Sequence, residues 1–149
     1  MARQDFSFFH TLRVRWSEVD MQAIVFNGHY LNYFDVAFTE YWRASGLPDV
    51  MAQSEAGLEM FARKAIIEYH APARFDDVLD VGVRCAGLGR SSLRFVLEIY
   101  RSGDAQSAAL ISGEMLYVHA DSRVRKSELV LFAWRERLIA LEQGLPVEG

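Results

Sequence analysis

The segment 27–45 constrains the fold more than any other part of the chain. It predicts a helix that begins at Asn27, a good N-cap residue, and ends before Gly46, Leu47 and Pro48. Its apolar residues cover much more than one stripe: Tyr30, Leu31, Tyr33, Phe34, Val36, Ala37, Phe38, Tyr41 and Trp42. Because a helix that is apolar on most faces is usually buried on most faces, this helix, about 27 Å long, needs a curved sheet around it.

Alternation of apolar and polar residues predicts the strands of that sheet. The expected strands are 7–16, 60–70, 78–86, 92–101 and 107–119. Short links at 87–89 and 102–104 are typical of hairpins, so neighbouring strands are expected to be antiparallel. Residues 48–57 are interpreted as a short helical or loop connection, and 128–143 as a C-terminal helix. This order predicts an α+β fold in which one sheet wraps one helix.

Length and composition exclude several classes of protein. The 149 residues suit one domain spanning 1–149. A net charge of −4 offers no basic field for nonspecific nucleic-acid binding. The single cysteine, Cys85, excludes a disulfide within the chain and a cysteine-rich metal site, and the four histidines show no metal-ligand spacing. The N-terminus lacks a signal-peptide pattern and no apolar run is long enough for a membrane span, so we expect a cytoplasmic protein without a metal.

The segment 16–30, WSEVDMQAIVFNGHY, places an acid just before the start of the long helix. A helix start offers unpaired backbone N–H groups and a partial positive charge, which can polarise a thioester carbonyl and stabilise an oxyanion. A nearby carboxylate, here Asp20, can attack the carbonyl or activate a water. Taken alone the signal is weak, because loop acids are usually polar turn residues.

The same segment resembles the signature of the 4-hydroxybenzoyl-CoA thioesterase family, within the hotdog superfamily. In that signature a strand and an aromatic residue precede Asp-x-Asp-x-x-Gly-x-Val, and a Tyr then opens the long helix. The matching residues are Trp16, Glu18, Asp20, Ala23, Val25 and Tyr30, followed by 33–37 and 46–48. Segments 69–72, 76–79 and 89–92 also resemble the family, so the resemblance extends from about Phe8 to Lys126.

This resemblance implies a hotdog fold, a five-to-six-stranded antiparallel sheet wrapped around a long central helix. It places the catalytic carboxylate at Asp20 and the carbonyl-polarising N–H groups near Asn27 and Gly28. Two departures matter: Glu18 replaces an Asp, and Ala23 replaces a Gly where the backbone can need a positive φ. Many relatives carry His at position 27, so Asn27 leaves Asp20 without an imidazole helper.

Other side chains are candidates for substrate binding near the helix. Tyr30 opens the helix. His29 could orient substrate or a water, although such a histidine is more often a surface or structural residue. Asp35 could bind a polar acyl tail, help form an interface, or simply be solvated.

CoA carries phosphates, so a basic rim is expected. Its candidates are Arg90 with Ser91, and Arg125 with Lys126 and the neighbouring Arg123. The alternative is a solvated basic edge.

The implied reaction is hydrolysis of an acyl- or aryl-CoA to CoA and a carboxylic acid. No cofactor is expected, since CoA is part of the substrate. The resemblance also implies a homodimer with active sites at its interface, and a homotetramer as a dimer of dimers is an option. Three alternatives remain: a thioesterase for acyl carrier protein, a hotdog hydratase or dehydratase, and a non-catalytic acyl-CoA-binding protein. Serine-hydrolase chemistry is excluded because Ser91 and Ser92 lack a Gly-x-Ser-x-Gly context.

Overall fold

One antiparallel sheet and one long helix form the core of the computed structural model, which describes residues 1–149. The strands are β1 (Phe8–Arg13), β2 (Leu58–Tyr69), β3 (Val78–Leu88), β4 (Ser92–Arg101), β5 (Ile111–Asp121) and the short β6 (Lys126–Ser127). The α-helices are α1 (His29–Ser45), α2 (Val50–Ala56) and α3 (Phe132–Leu141), and two 3-10 turns lie at Arg3–Asp5 and Trp16–Glu18. The predicted α+β architecture is therefore confirmed.

The strand order is β1-β3-β4-β5-β2, with β6 paired to β5. Every named pairing is antiparallel, and the β3–β4 hairpin closes at Leu88 opposite Leu93. β2 therefore lies at one edge of the sheet although it is second in the sequence. One face of the curved sheet receives α1, and the chain between β1 and α1 passes along the end of the sheet where β3 begins.

The helix and the sheet fit together because one strand residue lacks a side chain. A Cβ at Gly113 of β5 would lie 2.4 Å from the ring of Phe34, so only glycine admits this ring so close to the strand. Around it α1 buries Tyr30, Tyr33, Ala37, Tyr41 and Trp42. These buried residues fix how α1 lies against the sheet, and hence where its first turn lies.

The long helix differs from its prediction in two ways. It begins at His29, with Gly28 at the N-cap, so Asn27 lies in the turn before the helix. One face also remains uncovered within the chain, since Leu31 is 41% and Val36 47% exposed. The prediction of burial on most faces was wrong for a single chain, because the sheet ends at β2 and covers only one side.

Strand boundaries were predicted best where a tight turn follows directly. β4 spans the predicted 92–101, whereas β5 was expected from 107 and begins at Ile111. The backbone N–H of Ser107 donates to the carbonyl of Asp104, which extends the preceding turn at the expense of the strand. The C-terminal helix was expected over 128–143 and is confined to Phe132–Leu141.

The edge strand β2 is long and poorly covered. Its register with β5 shifts between Ala62 and Lys64, a bulge that broke the predicted alternation. Phe61, Ile66 and Tyr69 are each more than a third exposed. None of the three α-helices combines the length and the hydropathy that crossing a bilayer requires.

Candidate active site

Glu18 fixes the base of the loop that presents Asp20. Its carboxylate is buried and accepts hydrogen bonds from the backbone N–H of Arg15 at 2.7 Å and from the hydroxyl of Tyr33 on α1 at 3.0 Å. The Arg15 guanidinium adds a contact at 3.0 Å. Burial alone would raise the pKa of Glu18, but the hydrogen bonds from Arg15 and Tyr33 outweigh it and lower the pKa. Glu18 is therefore an ionised structural group that ties the loop to the helix.

Two residues after Glu18, the chain makes a narrow turn with Asp20 at its start. The N–H of Asp20 donates to the carbonyl of Ile24 and the N–H of Ala23 donates back to the carbonyl of Asp20, both at 2.9 Å. The N–H of Gln22 donates to Asp20 Oδ1 at 2.8 Å. Ala23 has a φ of 60°, as its replacement of a family glycine suggested. The turn holds the Asp20 carboxylate in one orientation, exposed at the surface of the single chain.

The helix start opposite this turn has unpaired donors. The N–H of His29 is used, since it donates to the carbonyl of Phe26 at 2.9 Å. The N–H groups of Asn27 and Gly28 donate to no group in the chain. Gly28 also has no side-chain cap, so nothing in the chain competes for these donors. The two residues predicted to polarise a carbonyl are thus free to do so.

A cavity of about 420 Å³ brings Asp20 and Asn27 together. Tyr30 and Tyr69 form part of its wall, with ring centroids 5.8 Å apart. Both hydroxyls are engaged: that of Tyr30 accepts from the N–H of Ala73 at 3.1 Å, and that of Tyr69 donates to the carbonyl of Asn27 at 3.3 Å. The rest of the lining is mainly apolar: Ile24, Val25, Phe26, Ala71, Pro72 and Ile111.

Sequence reasoning missed two residues of this cavity, Tyr69 and His70. Tyr69 ends β2 and His70 comes directly after it. This end of β2 runs beside the start of β5 and so reaches the Asp20 turn. His70 is one of the residues that line the cavity. Its Nε2 lies 2.8 Å from the hydroxyl of Ser112, whose side chain lies on the opposite face of the sheet from Ile111. The pairing of β2 with β5 is the signal that places the two residues here, and spacing along the chain does not contain it.

The remaining predicted substrate-binding residues near the helix lie elsewhere. His29 is not part of the cavity wall; its ring packs edge-on against Phe26, and its Nδ1 lies 3.4 Å from the amide nitrogen of Asn32. Asp35 lines a second cavity of about 690 Å³ further along α1, together with Phe38, Trp42, Met60 and Tyr117. Burial and the charge of Asp35 raise the pKa of Tyr117 to about 12.

The predicted basic rim lies at the other end of the sheet from Asp20. Arg90 and Ser91 follow β3, and the N–H of His119 donates to the carbonyl of Ser91. Arg125 ends the turn from β5 to β6, and Lys126 begins β6. The Asp20 cavity lies where β5 begins, so the length of β5, about 30 Å, separates the two groups within one chain.

The geometry around Asp20 suits attack on a carbonyl. A thioester whose oxygen faced the N–H groups of Asn27 and Gly28 would have its carbon close to the Asp20 turn. These donors would be fixed before the reaction, which is the arrangement that stabilises an oxyanion most effectively. The described residues contain no group of three or more His, Cys, Asp or Glu side chains that could hold a metal ion.

Comparison with known proteins identifies the family. The model of the family described as the thioesterase superfamily matches residues 22–108, more than half of the chain, beginning just after Asp20. A relative from Aquifex aeolicus with an esterase designation is 31% identical over 102 residues, 68% of this chain and 79% of its own. The acyl-CoA thioester hydrolase YbgC of Escherichia coli O6:H1 is 28% identical over 110 residues, 74% of this chain and 79% of its own.

A solved structure extends the likeness to most of the fold. The thioesterase from Thermus thermophilus, complexed with coenzyme A and zinc, matches with a TM-score of 0.76 and 26% identity. The match covers 94% of this chain and 97% of that one. The expected hotdog fold is confirmed by this match together with the strand order. The chain belongs to the thioesterase superfamily.

Proposed function

We propose that this protein hydrolyses acyl-CoA thioesters to CoA and a free carboxylic acid, with Asp20 as the catalytic carboxylate. One observation supports this assignment above the others: Asp20 lines the same cavity as Asn27, whose N–H before the helix start is free, while Gly28 follows directly outside the lining. YbgC, named as an acyl-CoA thioester hydrolase, and the CoA complex of the Thermus thermophilus relative support CoA as the carrier.

The chemistry divides between the carboxylate and the backbone. The carbonyl oxygen accepts from the N–H groups of Asn27 and Gly28, which polarises the C=O bond. Asp20 then attacks the carbon, or removes a proton from a water that attacks it. Negative charge develops on the carbonyl oxygen and is stabilised by the donors of the helix start. The thiolate of CoA departs when the tetrahedral intermediate collapses. This gives the carboxylic acid directly where a water attacked, or an anhydride with Asp20 that a water then hydrolyses where the carboxylate attacked.

The acyl group would extend along α1. Leu31 and Asp35 are four residues apart on α1, so they follow one side of the helix from its first turn to the larger cavity. The rise from His29, where α1 begins, to Asp35 is about 9 Å. An acyl chain lying along this side would leave the thioester at the helix start and place its far end beside Asp35.

The CoA-binding role of the basic rim requires a second protomer. Two copies joined antiparallel through the exposed edge of β2 would bring the Leu58 end of one strand beside the Tyr69 end of the other. Leu58 pairs with Asp121, near Arg125 and Lys126, so the partner's basic rim would approach the Asp20 cavity. We therefore propose a homodimer, with a dimer of dimers as the larger option.

The test is thiol release from a panel of acyl-CoA thioesters by the wild type and by Asp20→Asn. We expect Asp20→Asn to lower kcat by at least about 100-fold, because the amide is neither an effective nucleophile nor a base at neutral pH. The matched control is Asp104→Asn. Asp104 also accepts a hydrogen bond from the N–H two residues on, at 3.0 Å, in an exposed turn that does not line the cavity.

Wild-type turnover by Asp20→Asn, with the circular dichroism spectrum and melting temperature unchanged, would overturn the assignment. Release of thiol only from acyl carrier protein thioesters would show that acyl carrier protein, and not CoA, carries the acyl group. Tight CoA binding with no thiol release from any thioester would make the protein a non-catalytic acyl-CoA-binding member of the superfamily.

A further inference from the structure

One buried imidazole faces the core of the protein from β5. The core-facing residues of this strand alternate along it, and after Met115 and Tyr117 the next such position is His119, which has no exposed surface. Its Nε2 is buried without a hydrogen-bond partner, an energetic cost that an apolar residue of similar size would avoid. The proposed hydrolysis at Asp20 does not use this ring, because His119 lies near the other end of β5 and does not line that cavity.

The other ring nitrogen of His119 binds the chain that follows β6. Nδ1 lies 2.9 Å from the carbonyl oxygen of Leu129, and because a carbonyl only accepts, Nδ1 carries the hydrogen and donates it. Leu129 belongs to no strand or helix, and no backbone N–H donates to its carbonyl. The imidazole therefore supplies the hydrogen bond that fixes this carbonyl where strand pairing does not reach.

The segment fixed in this way holds the first turn of the basic rim. Val130 directly follows Leu129, and its N–H donates to the carbonyl of Arg90 at 2.9 Å. The backbone N–H of His119 donates to the carbonyl of Ser91 at 2.8 Å. His119 therefore holds this turn twice, directly through its backbone and indirectly through the segment that its side chain binds. Any residue at this position can make the backbone contact, whereas the indirect contact needs a side-chain donor.

The ring of His119 also supports the start of α3. It packs edge-on against the ring of Trp134, with the ring centroids 4.8 Å apart. The next residue, Arg135, donates a hydrogen bond to the carbonyl of Gly89, directly before Arg90. Both the hydrogen bond and the packing of the imidazole therefore lead to the same turn, and a test has to separate them.

We infer that His119 is a positioning residue for CoA binding, which acts through the carbonyl of Leu129 to hold the turn that presents Arg90 and Ser91 to the CoA phosphates. The inference rests on the proposed function, in which the basic rim serves CoA bound across the dimer. The side chain of Arg90 is exposed, so it is accessible to a phosphate. His119 is fully buried in the chain and acts on CoA only through this turn.

Two substitutions separate the hydrogen bond from the packing. His119→Leu retains apolar bulk and removes the donor, whereas His119→Asn restores an N–H donor close to the position of Nδ1 with less bulk. Calorimetric titration with CoA should give a Kd at least about fivefold higher in His119→Leu, in line with the loss of one hydrogen bond, and a Kd nearer to the wild type in His119→Asn. The control is His10→Leu on β1, opposite Val81 and away from the Leu88 end of β3, whose Kd should equal that of the wild type.

The effect should also depend on Arg90. In an Arg90→Ala background, His119→Leu should change the Kd by about twofold or less, because the guanidinium that it positions is absent. An equal loss in both backgrounds would assign His119 to general folding and overturn the inference. So would a loss in His119→Asn as large as that in His119→Leu, a wild-type Kd in His119→Leu, or a wild-type protein that does not bind CoA.

Hydrogen exchange of the wild type tests the same link if His119→Leu does not fold. CoA should slow exchange of the Val130 N–H, which donates to the carbonyl of Arg90, and exchange that CoA leaves unchanged would contradict the inference. Asp20→Asn is assessed by thiol release and the His119 variants by CoA binding, so the two failures are distinguishable. If Asp20→Asn abolishes turnover and His119→Leu binds CoA like the wild type, only the inference about His119 fails.

Discussion

At the residue scale, the site depends on two neighbours of Asp20 that do not contact substrate. Glu18 ties the loop to Tyr33 of α1, and this explains why a longer acid than the family's aspartate is accepted there. Ala23 closes the turn with a φ of 60°, a conformation that costs an L-residue about 1–2 kcal/mol. The chain therefore holds Asp20 in place at a local energetic cost that a glycine would avoid.

This cost can be measured with Ala23→Gly. Glycine adopts a positive φ without strain, although it also increases the entropy of the unfolded chain, so we expect a net gain of about 0.5–1 kcal/mol in the free energy of unfolding. Chemical denaturation followed by fluorescence gives the value. The matched control is Ala44→Gly at an exposed position of α1, where the free energy should fall by about 1 kcal/mol. A loss of stability in Ala23→Gly equal to that in Ala44→Gly would contradict the strain assigned to this turn.

At the element scale, the start of α1 supplies backbone N–H groups that only a substitution by proline removes. The turn from Phe26 to His29 exposes the N–H of Asn27, and its closing hydrogen bond comes from His29. Proline is favoured at the second position of such a turn, which Asn27 occupies, and it has no N–H. Asn27→Pro therefore deletes one proposed oxyanion donor without removing any hydrogen bond of the fold.

We expect Asn27→Pro to lower kcat by about 100-fold, in line with the loss of one oxyanion-hole donor elsewhere. Asn27→Ala is its control, because it removes the side-chain amide and retains the N–H; its kcat should stay much nearer to the wild type. Stopped-flow thiol release with both variants, together with their melting temperatures, makes the comparison. If Asn27→Pro is well folded and turns over as fast as Asn27→Ala, the Asn27 N–H is not a donor in the reaction.

The elements themselves could largely be predicted from the sequence, because their signals are local. The alternation of β4 and its flanking turns fixed both of its ends, and the aromatic content of α1 indicated a helix inside a curved sheet. The start of α1 was misplaced by two residues because Asn27 has the chemistry of a cap, whereas the observed cap, Gly28, uses no side chain.

The candidate site could be predicted only where its residues are close in sequence. Asp20, Asn27 and Gly28 lie within one loop, so their proximity was visible. The place of Tyr69 in the cavity wall depends on the register of β2 with β5. The hydrogen bond between Glu18 and Tyr33 depends on how α1 packs. The distance between Asp20 and Arg90 depends on strand direction over the whole sheet. None of these long-range relations is contained in local periodicity.

At the scale of the whole molecule, the single chain leaves the outer edge of β2 without a partner strand. β2 has twelve residues, exposes apolar side chains and has another strand on one side only. Long, flat apolar edges are normally covered or paired, since their free backbone groups promote association. The uncovered Leu31 and Val36 of α1 add apolar surface to the protomer.

We expect native mass spectrometry and light scattering to give a dimer of the 17.0 kDa chain, or a dimer of dimers, at micromolar concentration. Ile66→Glu places a charge on the exposed edge of β2 and should shift the protein toward monomer, with turnover lost in parallel. Ile139→Glu is the control, because Ile139 is exposed on α3, away from that edge. A wild-type monomer with full thioesterase activity would contradict the dimer and the CoA-binding role of the partner's basic rim.

The central claim is that the thioester carbonyl lies between Asp20 and the first residues of α1. A crystal structure of Asp20→Asn with an intact acyl-CoA measures this directly, because the slow variant retains its substrate. The carbonyl oxygen should lie about 3 Å from the backbone nitrogen of Asn27 or Gly28, and the carbonyl carbon about 3–3.5 Å from the side chain of residue 20. A thioester bound outside this cavity, or with its carbonyl turned away from the helix start, would contradict the mechanism.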